Sequence, residues 1–173
     1  VCEQYGRTLY LCVGSAFTGN YGAALAWQRE QDRSDLLEVI DTGAASGRLA
    51  LIALLTSRLA QRTENTEAVR AHARNLVDTC REYIFIDTLR YLVAGGRVSR
   101  AGGFFGDLLH LKPVISPARE GVRRVGLVRN REAQLEFALD KAGTEIEFPS
   151  LAVLLLQYSD NQAWVNEVAR PQL

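Results

Sequence analysis

The feature that most restricts this chain is an alternation. Short apolar runs that stop at Gly or Asp are each followed by a longer stretch with apolar residues at helical spacing. The first run, TLYLCV at residues 8–13, is rich in strand formers and ends at Gly14, as a strand covered on both faces does. Alanines, Leu25 and Trp27 then recur at helical spacing from residue 19 to about 32, and LLEVI at 36–40 gives a second strand ending in Asp41, Thr42 and Gly43. This is a β-α-β unit. Ser46 is placed to cap a helix that carries Leu49, Ile52, Leu55 and Leu59 to Gln61, and the punctuation TENT at 63–66 precedes an amphipathic helix over 67–81.

The second half repeats the alternation with less regularity. YIFI at 83–86 reads as the third strand, and a short helix with Leu89, Leu92 and Val93 is halted by Gly95 and Gly96. A helix from Ser99 to about Leu111 stops before Pro113. Val114 and Ile115 start a strand, residues 119–121 turn, RVGLV at 124–128 returns antiparallel to it, and a helix covers 131–141. LAVLLL at 151–156 reads as an unusually apolar strand, and a last helix over 161–169 stops at Pro171. The expected class is α/β, with a mostly parallel sheet flanked by helices.

Charge then excludes some partners. Twenty basic and twenty acidic residues sum to zero, which leaves no electrostatic footprint for nucleic acid or an anionic membrane surface. All the basic residues except Lys112 and Lys141 are arginine, and there is no methionine, a usage that fits a GC-rich genome as readily as a role in forked carboxylate contacts. A translated chain begins with methionine, so a trimmed or partial polypeptide is expected. No stretch approaches the roughly 18 uninterrupted apolar residues of a membrane span, and no signal-peptide pattern opens the chain. Cys2, Cys12 and Cys80 are odd in number and lack metal-like spacing, so they read as free thiols of a reducing cytoplasm, with no metal site expected.

Two constellations could carry a function. The loop GSAFTGNY at 14–21 joins a strand to a helix, where the carboxyl end of a strand and the N–H groups of a helix start can hold an anion. Ser15, Thr18 and the backbone at Gly19 are therefore candidate ligands for a carboxylate or phosphate, although a Ser or Thr here is as well explained as a helix cap. The loop lacks the lysine of a phosphate-clamping Walker loop, and the GxGxxG and GxSxG patterns are absent. His72 and His110 fall on amphipathic stretches, which leaves Ser15 without an evident base and argues against a catalytic site. The second constellation is IDTLRYLVAGGRV at 86–98, leading into an apolar helix with Phe104, Phe105, Leu108 and Leu109. Arg97, next to a Gly-Gly turn, would need an anionic partner if it points inward, either a ligand's or an internal one such as Asp87 or Asp41.

Several linked motifs here resemble those of one family. The stretch from Ile86 to Val128, with DTLRYL at 87–92, GGRV at 95–98, LLHLKPVI at 108–115 and VGLVR at 125–129, strongly resembles the second half of DegV-family proteins. Upstream, SAFTGNYGAA at 15–24 is similar to the family's S-x-L-S-G-T-Y-x-x-A motif, and VIDT at 39–42 with SGRLA at 46–50 is similar to its V-x-D-S segment and the following helix. The resemblance covers about residues 5–168.

It implies a two-lobed α/β architecture of the EDD fold, incomplete here, with a partial N-terminal lobe over residues 1–81 and a truncated C-terminal lobe over 82–173. A long-chain fatty acid would lie between the lobes, its carboxyl group held by Ser15, Thr18 and Gly19 and supported by Arg97, its tail in an apolar slot near Phe104 to Leu109. The resemblance further implies a cytoplasmic protein that presents the carboxyl to a fatty-acid kinase and does no chemistry itself, with no cofactor beyond the lipid. The alternative is a structural or regulatory DegV-like domain with no functional lipid site. Thr18 and Asn20 depart from the family's serine and threonine, and its N-terminal T-S-D-S segment and C-terminal glycine-flanked histidine have no counterpart among the 173 residues.

Overall fold

The computed structural model describes residues 4, 6–31, 36–88, 90–95, 111–147 and 152–173. Strand β1 (Thr8–Cys12) pairs in parallel with β2 (Leu37–Asp41), in a register that sets Thr8 opposite Leu37 and Cys12 opposite Asp41. Helix α1 (Asn20–Glu30) connects them, as parallel pairing requires a crossover. Helices α2 (Ser46–Ala60) and α3 (Thr66–Thr79) follow. Ile40, Ala44, Ile52, Ala73, Leu76 and Val77 form a buried cluster, with Leu9, Leu11, Leu49, Leu55 and Cys80 packed on it. Burial of these side chains is the main driving force for this half.

Strands β3 (Ile84–Phe85), β4 (Lys112–Ala118) and β5 (Gly121–Val128) make a second sheet, ordered β3-β4-β5 and antiparallel throughout. Arg119 and Glu120 turn the β4-β5 hairpin, and Gly121 follows with φ of 123°, a backbone state that favours glycine. Helix α4 (Arg90–Ala94) leaves β3, and helix α5 (Arg131–Glu145) lies against β5. The Phe137 ring sits where a side chain on Gly126 would be, since an added Cβ would come within 2.6 Å of it. The ring meets Tyr83 and Phe85 edge-on, at centroid distances of 5.6 and 5.9 Å. Helix α6 (Gln162–Trp164) continues as a π-turn over Val165–Ala169, with Val165 and Ala169 buried. Arg131 lies over its Trp164 ring at 5.1 Å.

The α/β class holds, but the described strands are not mostly parallel. The one parallel pair among them is β1-β2; β5 returns antiparallel to β4 through the tight turn at 119–120, as expected, and β3 also pairs antiparallel with β4. The apolar run expected as a last strand is a second difference. Residues 152–158 carry no regular structure, and Val153, Leu154 and Leu155 are 48%, 51% and 46% exposed. Apolar composition alone does not make a strand without a neighbour to pair with, and neither sheet among the described residues extends to this segment. The helix expected over 99–111 lies outside the described residues apart from Leu111.

Helix α2 starts differently from the sequence expectation as well. Its cap position is Ala45, with no side-chain cap, and Ser46 adopts a positive φ of 53°. The Glu82 carboxylate takes the place of a cap, accepting the Arg48 N–H at 3.3 Å and approached by that of Gly47. Gln157 Nε2 reaches in from residues 152–158 to donate to Glu82 at 3.1 Å and to Ser46 Oγ at 2.9 Å. Arg48 itself ties the two halves together, donating to the carbonyl of Val77 at 2.7 Å and to that of Pro117 at 3.0 Å.

Candidate functional site

The carboxyl end of the parallel pair is built by two loops that touch. Thr42, fully buried, donates its hydroxyl hydrogen to the Cys12 carbonyl at 2.6 Å and accepts the Ala44 N–H at 3.1 Å. The Gly14 N–H donates to the Ala44 carbonyl at 2.8 Å. The backbones approach so closely that a Cβ on Gly14 would stand 2.8 Å from the Gly43 Cα. Gly43 has φ of 59°, and a Cβ there would meet Arg119 Cγ at 2.7 Å and its main-chain nitrogen at 3.0 Å. Two glycines thus let the loop after β1, the loop after β2 and the β4-β5 turn converge.

This convergence sets Ser15 over Asp41. The Ser15 N–H and the Gly43 N–H each donate to Asp41 Oδ1 at 3.1 Å, and the Ser15 hydroxyl donates to Oδ2 at 2.5 Å. Burial alone would raise the Asp41 carboxyl. The Ser15 hydroxyl, the Gly43 and Ser15 amides and the Arg119 charge outweigh it, so Asp41 titrates below the ordinary aspartate value. Beside it lies an open groove of about 450 Å³ whose lining includes Tyr21, Asp41, Arg74, Asp78 and Arg119. Arg119 also pairs with Asp78 at 3.7 Å. Burial and the Asp41 charge push the Cys12 thiol up, which keeps it protonated and unreactive.

The sequence candidates separate at this point. Ser15 is not a cap for α1, because its hydroxyl is committed to Asp41. Thr18 Oγ accepts the Asn20 N–H at 3.1 Å in a local turn just ahead of the helix, and Gly19 holds the N-cap position with no side-chain cap, its carbonyl accepting the Ala23 N–H at 3.0 Å. All three lie on the single loop between β1 and α1. Arg97 lies outside the described residues, as do Phe104 to Leu109 and His110. The two acidic residues weighed as its internal partners have other company. Asp87 accepts from Lys112 at 2.5 Å and Arg131 at 3.4 Å, which hold its carboxyl below the ordinary value, and Asp41 is bonded as above. His72 is half-buried on α3.

Sequence reasoning missed Arg119, Arg48, Glu82 and Gln157. Arg119 was visible only as part of a turn, and its place over Gly43 depends on how the two sheets meet. Glu82 is 8% exposed and paired on one oxygen only: Oε1 is bonded while Oε2 is buried without a partner among the described residues. Burial pushes its carboxyl above the ordinary glutamate value, against the Arg48 and Gly47 amides and the Arg48 charge. No group of three His, Cys, Asp or Glu side chains among the described residues stands close enough to hold a metal, and no described helix is long and apolar enough to cross a membrane.

Comparison with known proteins gives the family of the chain. The sequence matches the model of the DegV family, described as a family of uncharacterised proteins, over residues 1–171. A DegV domain-containing protein of Streptococcus pyogenes serotype M1 is 25% identical over 158 residues, which is 89% of this chain and 54% of that protein. The chain therefore spans about half the length of the curated relatives it matches. Among solved structures, a DegV family protein from Thermus thermophilus, described by its fatty acid binding, superposes with a TM-score of 0.71 at 27% identity, over 84% of this chain and 51% of that one. The Streptococcus pneumoniae fatty acid kinase B3 protein, loaded with linoleic acid, superposes at 0.67 and 18% identity, over 78% and 50%. Its low identity speaks for the fold. With the linked motifs of residues 15–50 and 86–129 falling inside a family match that runs nearly end to end, the chain belongs to the DegV family.

Proposed function

We propose that this chain forms part of a carrier that binds a long-chain fatty acid between two α/β lobes and presents its carboxyl group to a fatty-acid kinase. The observation that carries the reading is the convergence at Gly43, where the Ser15 loop, the Asp41 loop and the Arg119 turn of the other sheet meet beside an open groove. Ligands of open α/β folds bind at such carboxyl ends of strands. The head group would rest on the loop bearing Ser15, Thr18 and Gly19, with Arg97 supporting it and the tail covered by the apolar segment from Phe104 to Leu109. Each methylene so covered contributes about 0.8 kcal/mol. The fatty acid binding by which the related Thermus thermophilus protein is described supports the carrier reading.

The lobes divide near residue 81, a division supported by the two sheets falling on either side of it. A non-catalytic role in the cytoplasm follows the same reading. The group touching Ser15 Oγ is a carboxylate held below its ordinary range, a poor base for a hydroxyl. A second reading, a structural or regulatory domain without a lipid site, is favoured by the charged lining of the groove.

Native mass spectrometry of the purified chain, followed by extraction and lipid identification, separates the two. The carrier reading expects a stoichiometric fatty acid that is lost from Ser15→Ala and Arg97→Ala. A wild-type chain without lipid favours the structural reading instead, and variants that keep the lipid in full take the head group away from Ser15 and Arg97.

A further inference from the structure

A second hollow, of about 420 Å³, lies between the end of α3 and the β4-β5 hairpin. Its lining carries four guanidiniums, those of Arg48, Arg81, Arg119 and Arg123, against the two carboxylates of Asp78 and Glu120. A chain whose charges sum to zero thus gathers an excess of two positive charges in one place. The Cys80 thiol in the same wall does not offset them, because burial pushes it up and keeps it protonated despite the Arg48 and Arg81 charges.

The acids present hold these arginines loosely. Arg119 meets Asp78 at 3.7 Å and Arg123 meets Glu120 at 3.1 Å, with all four side chains 63–73% exposed, and exposed pairs of this kind are readily exchanged. Arg48 is half-buried and has no carboxylate on its guanidinium. Its terminal nitrogens donate to the Val77 and Pro117 carbonyls, and its Nε is buried without a partner among the described residues. Burial lowers its pKa; the Cys80 and Glu82 side chains act against that, and the crowding charges of Arg81 and Arg119 act with it. Glu82 accepts the Arg48 main-chain N–H, but burial pushes its carboxyl toward the uncharged form. The wall of the hollow therefore holds a half-buried positive charge that lacks a full counter-charge, a costly state that an anion in the hollow would relieve.

We propose that this hollow is an oxyanion site for a phosphate-class dianion, either free phosphate or the phosphate of a phosphomonoester. Arg81 and Arg123 make the contacts. One terminal nitrogen of Arg81 is held by the Asp78 and Cys80 carbonyls at 2.6 and 3.4 Å, which aims the side chain and leaves its other nitrogens uncommitted. Arg123 spends only Nε on Glu120, so both its terminal nitrogens are open to a forked contact. Arg48 acts from the wall through its charge. Arg119 and Asp78 also line the groove beside Asp41, and Arg119 is drawn toward that carboxylate as well, so its share in the new site is the smaller one. The proposal is independent of the lipid reading, since it uses neither Ser15 nor the Thr18 loop.

The test is isothermal titration calorimetry of the purified chain at constant ionic strength and about pH 8, where phosphate and its monoesters are mainly dianions. The probes are sodium phosphate, phenyl phosphate and sodium acetate. Phosphate is expected to saturate one site, with acetate about tenfold weaker or worse. Arg81→Gln and Arg123→Gln should each weaken phosphate by about three- to tenfold. Arg62→Gln, which removes the same charge just past the end of α2 and outside the lining, should leave it unchanged. Phenyl phosphate binding more tightly than phosphate would identify an esterified ligand, and the reverse order free phosphate. Heats that do not saturate, acetate bound as tightly as phosphate, or an Arg123→Gln chain indistinguishable from Arg62→Gln would overturn the site. Should Arg81→Gln fail to fold, exposed Arg123 and the wild-type comparison of phosphate with acetate still decide the outcome.

Discussion

Replacing Gly43 with alanine tests the convergence on which the candidate site depends. The backbone there has φ of 59°, in the left-handed region, and an L side chain in that state costs about 1–2 kcal/mol. The added Cβ would also lie 2.7 Å from Arg119 Cγ and 3.0 and 3.2 Å from its main-chain nitrogen and Cα. The side-chain carbon can swing away, but the two main-chain atoms move only if the hairpin turn moves. Overpacking of this kind costs about 1–3 kcal/mol. The sum is a loss of about 2–5 kcal/mol, and at ~2–4 °C per kcal/mol for a chain of this size it is visible in any melting curve. Urea unfolding followed by circular dichroism measures it, with Gly14→Ala as companion. That residue has no positive φ, yet its Cβ would stand 2.8 Å from the Gly43 Cα, so it reports crowding without the left-handed penalty. Loss of the Gly43 N–H position should also relax the Asp41 carboxyl upward, which a carboxyl-carbon NMR titration would follow. A Gly43→Ala chain within about 0.5 kcal/mol of wild type would refute the argument, because it would mean that the Arg119 turn does not rest on Gly43.

Two further outcomes follow from the buried groups. Glu82 has its folded-state pKa raised, so the folded chain holds that proton more tightly than the unfolded chain, and stability falls as pH climbs from the ordinary glutamate value to the folded one. Glu82→Gln should abolish that fall and be the more stable chain at neutral pH, and denaturant titrations at pH 4 and 7 that show equal pH dependence in both chains would contradict it. Ile52, fully buried in the α2-α3 cluster, should cost about 0.5–1.5 kcal/mol as Ile52→Val and about 2–5 kcal/mol as Ile52→Ala, read from urea midpoints at unchanged slope.

Local signals carried most of the first half of the fold. The change from a short run of strand formers, TLYLCV, to an alanine-rich stretch at helical spacing locates β1 and α1, although only Cys12 of β1 and no residue of α1 is fully buried. The hairpin at 112–128 was legible from its turn residues: Gly121 is required where φ is 123°. The direction of β3 was not, since its antiparallel pairing with β4 joins residues far apart in the chain. Residues 151–156 show the limit of composition, being apolar enough for a buried strand while 153–155 stand half exposed.

The candidate site divides along the same line. Ser15 and Thr18 were legible because both sit between a strand and a helix, but their distinct roles were not, because Asp41 comes 26 residues later than Ser15 and meets it only when β1 and β2 align. Arg119 and Gln157 come from still farther along the chain, and no periodicity links them to Gly43 or Ser46.

The Arg48 joint has a consequence for how such a sequence can drift. Both of its bonds end on main-chain carbonyls, those of Val77 and Pro117, rather than on side chains. Codons 77 and 117 can therefore change, within the limits set by packing, without deleting either acceptor. Codon 48 has no such latitude, because a lysine there would bring one nitrogen where the guanidinium brings two. A single-nucleotide change at that codon can remove both bonds from α2, the one to α3 and the one to β4, and no compensating change at the acceptor positions can restore the lost donor.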